Sequence, residues 1–285
     1  MNKKITKIIF LIFVINSYAQ DIQLILKAQK AEFIEFEPIW IEAILENEST
    51  KDSIATKILR PENHYFKFEL SNEKGDKFKY KGINLDQRSS NPKKVKLEKT
   101  NRKYLNLLDY YGENATPTFP AMYLKKGIYC LSATQKIDDG IIKSNEIKII
   151  VKEAIGNEQK ALTLYKKAYC EWMNYKDDDN AIKLYKQLID TYPQSVYVES
   201  SYMKSFSCYQ WGLHDYAKCI EVGEDLIKNY PMSPFSVRMV QYIIGPYKSL
   251  NRENEIRPKL MELKHKYGGI NPSIEESVLE MLEKY

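Results

Sequence analysis

The sequence predicts two units of different fold class, a sandwich of short β-strands followed by a stack of helical pairs. Three observations carry this. From Asp21 to about Val151 apolar residues alternate with period two, and from about Asn157 to Tyr285 they recur with helical period. A Leu-Ile-x-x-Tyr-Pro-x-Ser segment also returns after 38 residues, a repeat length typical of stacked helical arrays. At 285 residues and 44% hydrophobic, the chain can fill two cores. The expected division is a leader over 1–19, a strand region over 20–152, a joint over 153–160 and helical repeats over 161–285.

The leader has a basic start in Lys3, Lys4 and Lys7, an unbroken apolar run from Ile8 to Ile15, and Ser17-Tyr18-Ala19 before the expected cut. This is the pattern of a secretory signal. The run is too short to span a bilayer core, which takes about 20 apolar residues. Gln20 and Asp21 stand where a lipid-anchored export signal carries cysteine. The expected location is therefore periplasmic, outer-membrane-associated or secreted, with no lipid anchor and no membrane span after the leader. Lys+Arg 43 against Asp+Glu 38 gives +5, and three of those lysines leave with the leader. The near-neutral remainder argues against a nucleic-acid partner.

In the first half, Ile39, Ile41, Ala43 and Leu45 alternate against Trp40, Glu42, Ile44 and Glu46, and Phe66, Phe68 and Leu70 against Lys67 and Glu69. Asn72 to Asp76 reads as a hairpin turn feeding Phe78 and Tyr80. Further strands are expected at Ile22–Leu26, Val95–Leu97, Gly127–Thr134 and Asn145–Val151, giving a β-sandwich. Gly127, Tyr129 and Leu131 form a glycine turn, a tyrosine and an inward apolar residue. The pattern resembles the tyrosine corner of immunoglobulin-like and fibronectin-like modules, and the resemblance implies a fold and no chemistry.

In the second half, Ala161, Leu164, Tyr165, Ala168 and Tyr169 form one helical stripe, and Ala181, Ile182, Leu184, Tyr185, Leu188 and Ile189 the next. Tyr192-Pro193-Gln194-Ser195 recurs as Tyr230-Pro231-Met232-Ser233, and Leu263 and Tyr267 mark a weaker third copy. Ala181, Cys219 and Ile256 occupy the equivalent position where paired helices touch. On these residues the half resembles a tetratricopeptide repeat protein of the long-repeat kind found in bacterial envelopes. That resemblance implies an all-α solenoid whose first helices line a protein-binding groove. Departures are Tyr169 and Ser207 where the family has glycine, and Gly245-Pro246, which should break the first helix of the third unit. Ser273-Ile274-Glu275-Glu276 reads as a capping box opening a final helix.

Chemistry is sparse. The chain has no zinc-protease, nucleophile-elbow, phosphate-loop or dinucleotide motif. His64, His214 and His265 are scattered, so neither a metal nor a catalytic residue is assigned, and no cofactor is expected. Cys130, Cys170, Cys208 and Cys219 lack zinc-ligand spacing and read as small buried side chains, with Cys208 and Cys219 the one pair to test for a disulfide. Asp177-Asp178-Asp179 is a helix cap rather than a calcium loop. Lys93, Lys94 and Lys96 sit in a lysine-rich stretch that either protects an edge strand or contacts an anionic surface. Tyr165, Trp172, Tyr202 and Tyr209 are the aromatics expected to face the groove. The leading expectation is a non-enzymatic scaffold binding a protein or peptide. The alternatives are a carbohydrate-binding or uptake accessory module and, behind it, an enzyme with its site in the sandwich loops or at the junction.

Overall fold

The computed structural model describes residues 22–47, 59, 61, 65–82, 100–116, 119–137 and 140–285. Its N-terminal region is built of strands in sheets and its C-terminal region of helices, as the change of period predicts. The leader, the expected strand at Val95–Leu97, and Lys93, Lys94, Lys96 and His64 lie outside the described residues.

One antiparallel sheet has the order β1 (Ile22–Ala28), β3 (Trp40–Asn47), β5 (Thr100–Asn106). A second runs β2 (Glu32–Ile34), β10 (Ile147–Lys152), β8 (Gly127–Ile137), β4 (Phe66–Asn72), with β9 (Gly140–Lys143) also on β8. A two-stranded ribbon joins β6 (Glu113–Thr116) and β7 (Phe119–Tyr123). Alternation decides which residues turn inward. Leu24, Leu26, Ile41, Ala43 and Leu45 from the first sheet meet Phe66, Phe68, Leu70, Leu131, Ala133, Ile149 and Val151 from the second in one buried cluster. Asn145 ties the sheets at one edge, where its side-chain amide accepts from the Leu26 N–H at 2.8 Å and donates to the Leu26 carbonyl at 3.0 Å.

The turn after β4 forms as expected: Asn72 Oδ1 accepts the N–H groups of Lys74 and Asp76, and Gly75 takes φ 83°, a region glycine enters without cost. Tyr129 Oη donates to the Lys125 carbonyl at 2.8 Å, the bond the glycine–tyrosine pattern calls for. Burial pushes this phenol up to about 12, so it stays a donor at any ordinary pH. Strands β2, β5, β6, β7 and β9 were not expected from alternation.

The helical half opens at Gly156, inside the segment read as a joint, with α1 (Gly156–Cys170). It continues through α2 (Asp178–Thr191), α3 (Val198–Ser207), α4 (Tyr216–Asn229), α5 (Pro234–Tyr242), α6 (Ile244–Ser249), α7 (Ile256–Tyr267) and α8 (Pro272–Leu282). The repeat is geometric as well as sequential. First helices α1 and α3 each run into a π-turn, Glu171–Tyr175 and Cys208–Leu213. Each ends on a left-handed residue, Lys176 at φ 58° and His214 at φ 53°, and Asn251 repeats this in the third unit at φ 57°. Asp177 Oδ1 then accepts the Asn180 N–H and Asp215 Oδ1 the Lys218 N–H, both at 3.0 Å. These are N-caps, each contributing about 1 kcal/mol, and of the aspartate run Asp177 is the cap while Asp178 and Asp179 lie in the first turn of α2.

The turns after the second helices repeat too. Ser195, Ser233 and Asn271 follow at 38-residue steps, and each side-chain oxygen accepts an N–H two residues on, from Tyr197, Phe235 and Ser273. Tyr230 Oη reaches back to the Pro193 carbonyl and Asn271 Nδ2 to the Pro231 carbonyl, linking successive units. The cap of α8 is thus Asn271 and not Ser273, because Pro272 fixes φ at the first helical position and moves the start two residues earlier. As expected, Gly245-Pro246 interrupts the third first helix. Pro246 has no N–H for the Tyr242 carbonyl, and the helix divides at Ile243 into α5 and α6. Ala181, Cys219 and Ile256 are all buried at helix contacts. Cys208 and Cys219 are separate thiols, not a disulfide.

Candidate partner-binding face

Every 38 residues the array offers one first helix on the same side, and one charged position on that side recurs between the first two units. Lys166 of α1 and Lys204 of α3 are equivalent. The Lys166 ammonium lies 4.1 Å from the centre of the Phe36 ring, and Tyr123 stacks on Phe36 at 4.3 Å with the rings 4° from parallel. Phe36 sits at φ 66°, a strained conformation for a bulky side chain that persists only when its surroundings hold it. The Lys204 ammonium lies 5.0 Å from the Trp172 ring and 5.4 Å from the Tyr169 ring. Burial pulls its pKa down, against the attraction of Asp109.

Four aromatics were expected on this side, and the structure separates them. Tyr165 is 7% exposed, packed 5.9 Å from Tyr185 and 5.6 Å from Tyr197. It belongs to the stripe that α1 turns toward α2, so its ring is core and not a groove contact. Tyr202 tilts against Tyr230 at 6.0 Å and bonds to Asn229, which places it against the end of α4. Tyr209 is half-buried, among charges at the starts of α2 and α4. Trp172 alone of the four lies beside Lys204, edge-on to Tyr169 at 5.8 Å.

Two large side chains that were not expected to be functional stand in solvent at the tips of the first helices: Tyr175 at 72% and Trp211 at 70% exposed. Leu213, equivalent to Tyr175 one repeat later, is exposed too. Their location in π-turns explains why a 3.6-residue stripe did not find them, since a π-turn shifts the register by one residue.

The thiols are poor nucleophiles. Burial, and then Asp178 beside it, drives the Cys208 pKa far up, and burial pushes Cys219 up to about 12. A reactive cysteine needs the opposite environment. Among the described residues, no group of three or more His, Cys, Asp and Glu side chains is placed to hold a metal. No helix among them is long and apolar enough to cross a membrane.

The β half touches this same first-helix side at further points. Trp40 packs edge-on against Phe235 of α5 at 4.8 Å, under the Arg238 guanidinium at 4.5 Å. Arg238 also pairs with Asp109 at 3.1 Å. Tyr197, at the start of α3, donates its hydroxyl to the Glu35 carbonyl at 2.7 Å, and Ser273 of α8 reaches Tyr104 at 3.5 Å. These contacts fall on successive first helices, the side expected to be an open groove.

Comparison with curated proteins returned no match. The sequence model of the tetratricopeptide repeat family matches residues 162–195, a span from the second turn of α1 through its π-turn and α2 to Ser195, so this stretch is similar to one unit of that family.

Proposed function

We propose that the chain is an exported, non-enzymatic scaffold of the bacterial cell envelope that binds a protein partner through its helical array. The match over residues 162–195 supports a protein-interaction role. The observation that carries the reading is the recurrence of one local geometry in three successive units, at Lys176, His214 and Asn251 and at Ser195, Ser233 and Asn271. A repeated unit presents side chains at regular intervals along a continuous surface, which suits recognition of an extended partner. The basic start of the leader and its short apolar run support export. The two facing sheets, with the Tyr129 corner bond, support an immunoglobulin-like module as the other half.

The contact residues we assign are Trp172, Tyr175 and Trp211, with Lys93, Lys94 and Lys96 as a separate contact for an anionic surface. Aromatic side chains with one polar atom are favoured at interfaces, and an indole 70% exposed has no folding role that explains it. The test is in-cell crosslinking followed by pull-down, comparing wild type with a Trp172→Ala/Tyr175→Ala/Trp211→Ala variant whose fold is checked by circular dichroism. A discrete partner captured by wild type and lost by the folded variant is the expected result. No discrete partner, together with a change in tryptophan emission on adding polysaccharides, would replace this reading with a carbohydrate-binding module.

A further inference from the structure

We propose that the strand-rich half is an intramolecular latch on the helical array: it lies across the first-helix side through Phe36, Trp40, Tyr104 and Asp109, and a partner using that side has to displace it. The latch stands whether or not the array binds a protein, because its test needs no partner.

The contact has an anchor near each end of the array. At one, Phe36 is held between Tyr123 of its own half and Lys166 of α1. At the other, Trp40 is 2% exposed, yet it belongs to the face of β3 that points away from the sandwich core. Its burial comes from Phe235 and Arg238 of α5. Asp109 reinforces the second anchor: its carboxylate accepts from Arg238 at 3.1 Å and from Asn106 Nδ2 at 3.0 Å, and its charge is felt by Lys204 of α3.

The composition of this contact favours opening over permanent closure. It is made of a few rings, an ion pair and single hydrogen bonds, the make-up of interfaces within a chain whose parts move relative to one another. It also buries charge at a cost. Among the described residues Lys204 has no ion pair or hydrogen bond, only two rings of the array and the attraction of Asp109 across the seam. Burial raises the carboxyls of Glu37 and Glu199 above their ordinary range, although Lys30 attracts both. Unpaired or poorly compensated charges weaken the closed form and leave Lys204 ready for an acceptor group from a displacing partner. A segment held this way opens at a lower free energy than the cores on either side of it.

Hydroxyl-radical footprinting of the whole chain tests this, with Phe36 and Trp40 as reporters and Phe68 and Tyr185, buried in the two cores, as controls. Arg238→Glu breaks one anchor and Lys166→Glu the other. Each variant should raise the labelling of both Phe36 and Trp40 by roughly tenfold, the factor that corresponds to about 1.4 kcal/mol, with Phe68 and Tyr185 unchanged. Labelling confined to the reporter next to the substitution would mean local fraying and would overturn the latch. So would no change at either reporter, or a rise that includes the controls, which would make the two halves one inseparable core. The second variant decides the matter if either substitution alone prevents folding.

Discussion

The strand-rich half and the helical array hold themselves together over different distances along the chain. Asn145 bonds Leu26 across 119 positions, and Lys152 of β10 lies in register with Ile34 of β2. In the array, the links between units span one repeat: 37 positions from Tyr230 to Pro193 and 40 from Asn271 to Pro231. Closing long loops costs chain entropy before any contact repays it. The first half is therefore one cooperative unit whose parts cannot be spared, whereas the second is a sum of similar units and their nearest-neighbour contacts.

The largest test of that difference is in the sandwich core. Phe68 is buried, edge-on to Phe66 at 4.9 Å and to Tyr111 at 6.2 Å. Phe68→Ala should cost about 3–5 kcal/mol and remove the strand-rich half as a whole. Part of the near-ultraviolet signal should then be lost in an earlier transition than the helical signal at 222 nm. A single coincident transition would show that the array cannot stand without the strands.

The caps test whether the repeats are as equal in energy as they are in geometry. Asp177→Ala and Asp215→Ala each remove one acceptor at 3.0 Å from a helix start of the same geometry, although α2 alone has acids, Asp178 and Asp179, in its first turn, and each should cost about 1 kcal/mol in urea unfolding. Costs that differ by more than twofold would mean that the neighbouring units, and not the local turn, set the energy.

Legibility follows the same division. The array could be read because each unit carries its own instructions: the stripe, the capping aspartate, the Tyr-Pro-x-Ser turn. Even its break at Gly245-Pro246 was visible. Strand β5, Thr-Asn-Arg-Lys-Tyr-Leu-Asn, has no alternation and exists because β3 supplies a partner about 60 positions earlier in the chain. The place of Tyr165 is not legible for a related reason. Helical period sorts residues by azimuth on one helix and says nothing of what covers that azimuth, so it cannot separate a groove residue from one that faces α2, as Tyr165 does. One signal was available: Trp40 among glutamates on the outer side of a strand, an apolar ring that water should not be facing.

A smaller effect, with opposite signs, separates two tyrosines in one cluster. Tyr185 Oη is buried with no hydrogen-bond partner among the described residues, whereas Tyr197 Oη spans the two halves to Glu35. An unpaired buried hydroxyl costs stability and a paired one adds to it, each by about 1 kcal/mol. Tyr185→Phe should raise the melting temperature and Tyr197→Phe lower it. If both fell, packing around the oxygen would outweigh hydrogen bonding at Tyr185.

The smallest effect probes the seam between the halves through pH. Glu199 of α3 accepts the Ser233 hydroxyl at 2.5 Å and feels Lys30 of the strand-rich half. Burial outweighs both and raises its carboxyl above the usual range. The folded chain therefore holds a proton that the unfolded chain has already released. Its contribution to stability is fully present below the ordinary carboxylate range, and it is lost as pH rises through the higher folded value. Glu199→Gln keeps an acceptor for Ser233 and carries no charge. Near neutral pH the variant should melt about 1–3 °C higher than wild type, and near pH 4, roughly the ordinary carboxylate value, the gain should disappear. A gain of the same size at both pH values would trace the effect to packing. A loss at neutral pH would mean that the attraction of Lys30 across the seam exceeds the cost of burying the charge.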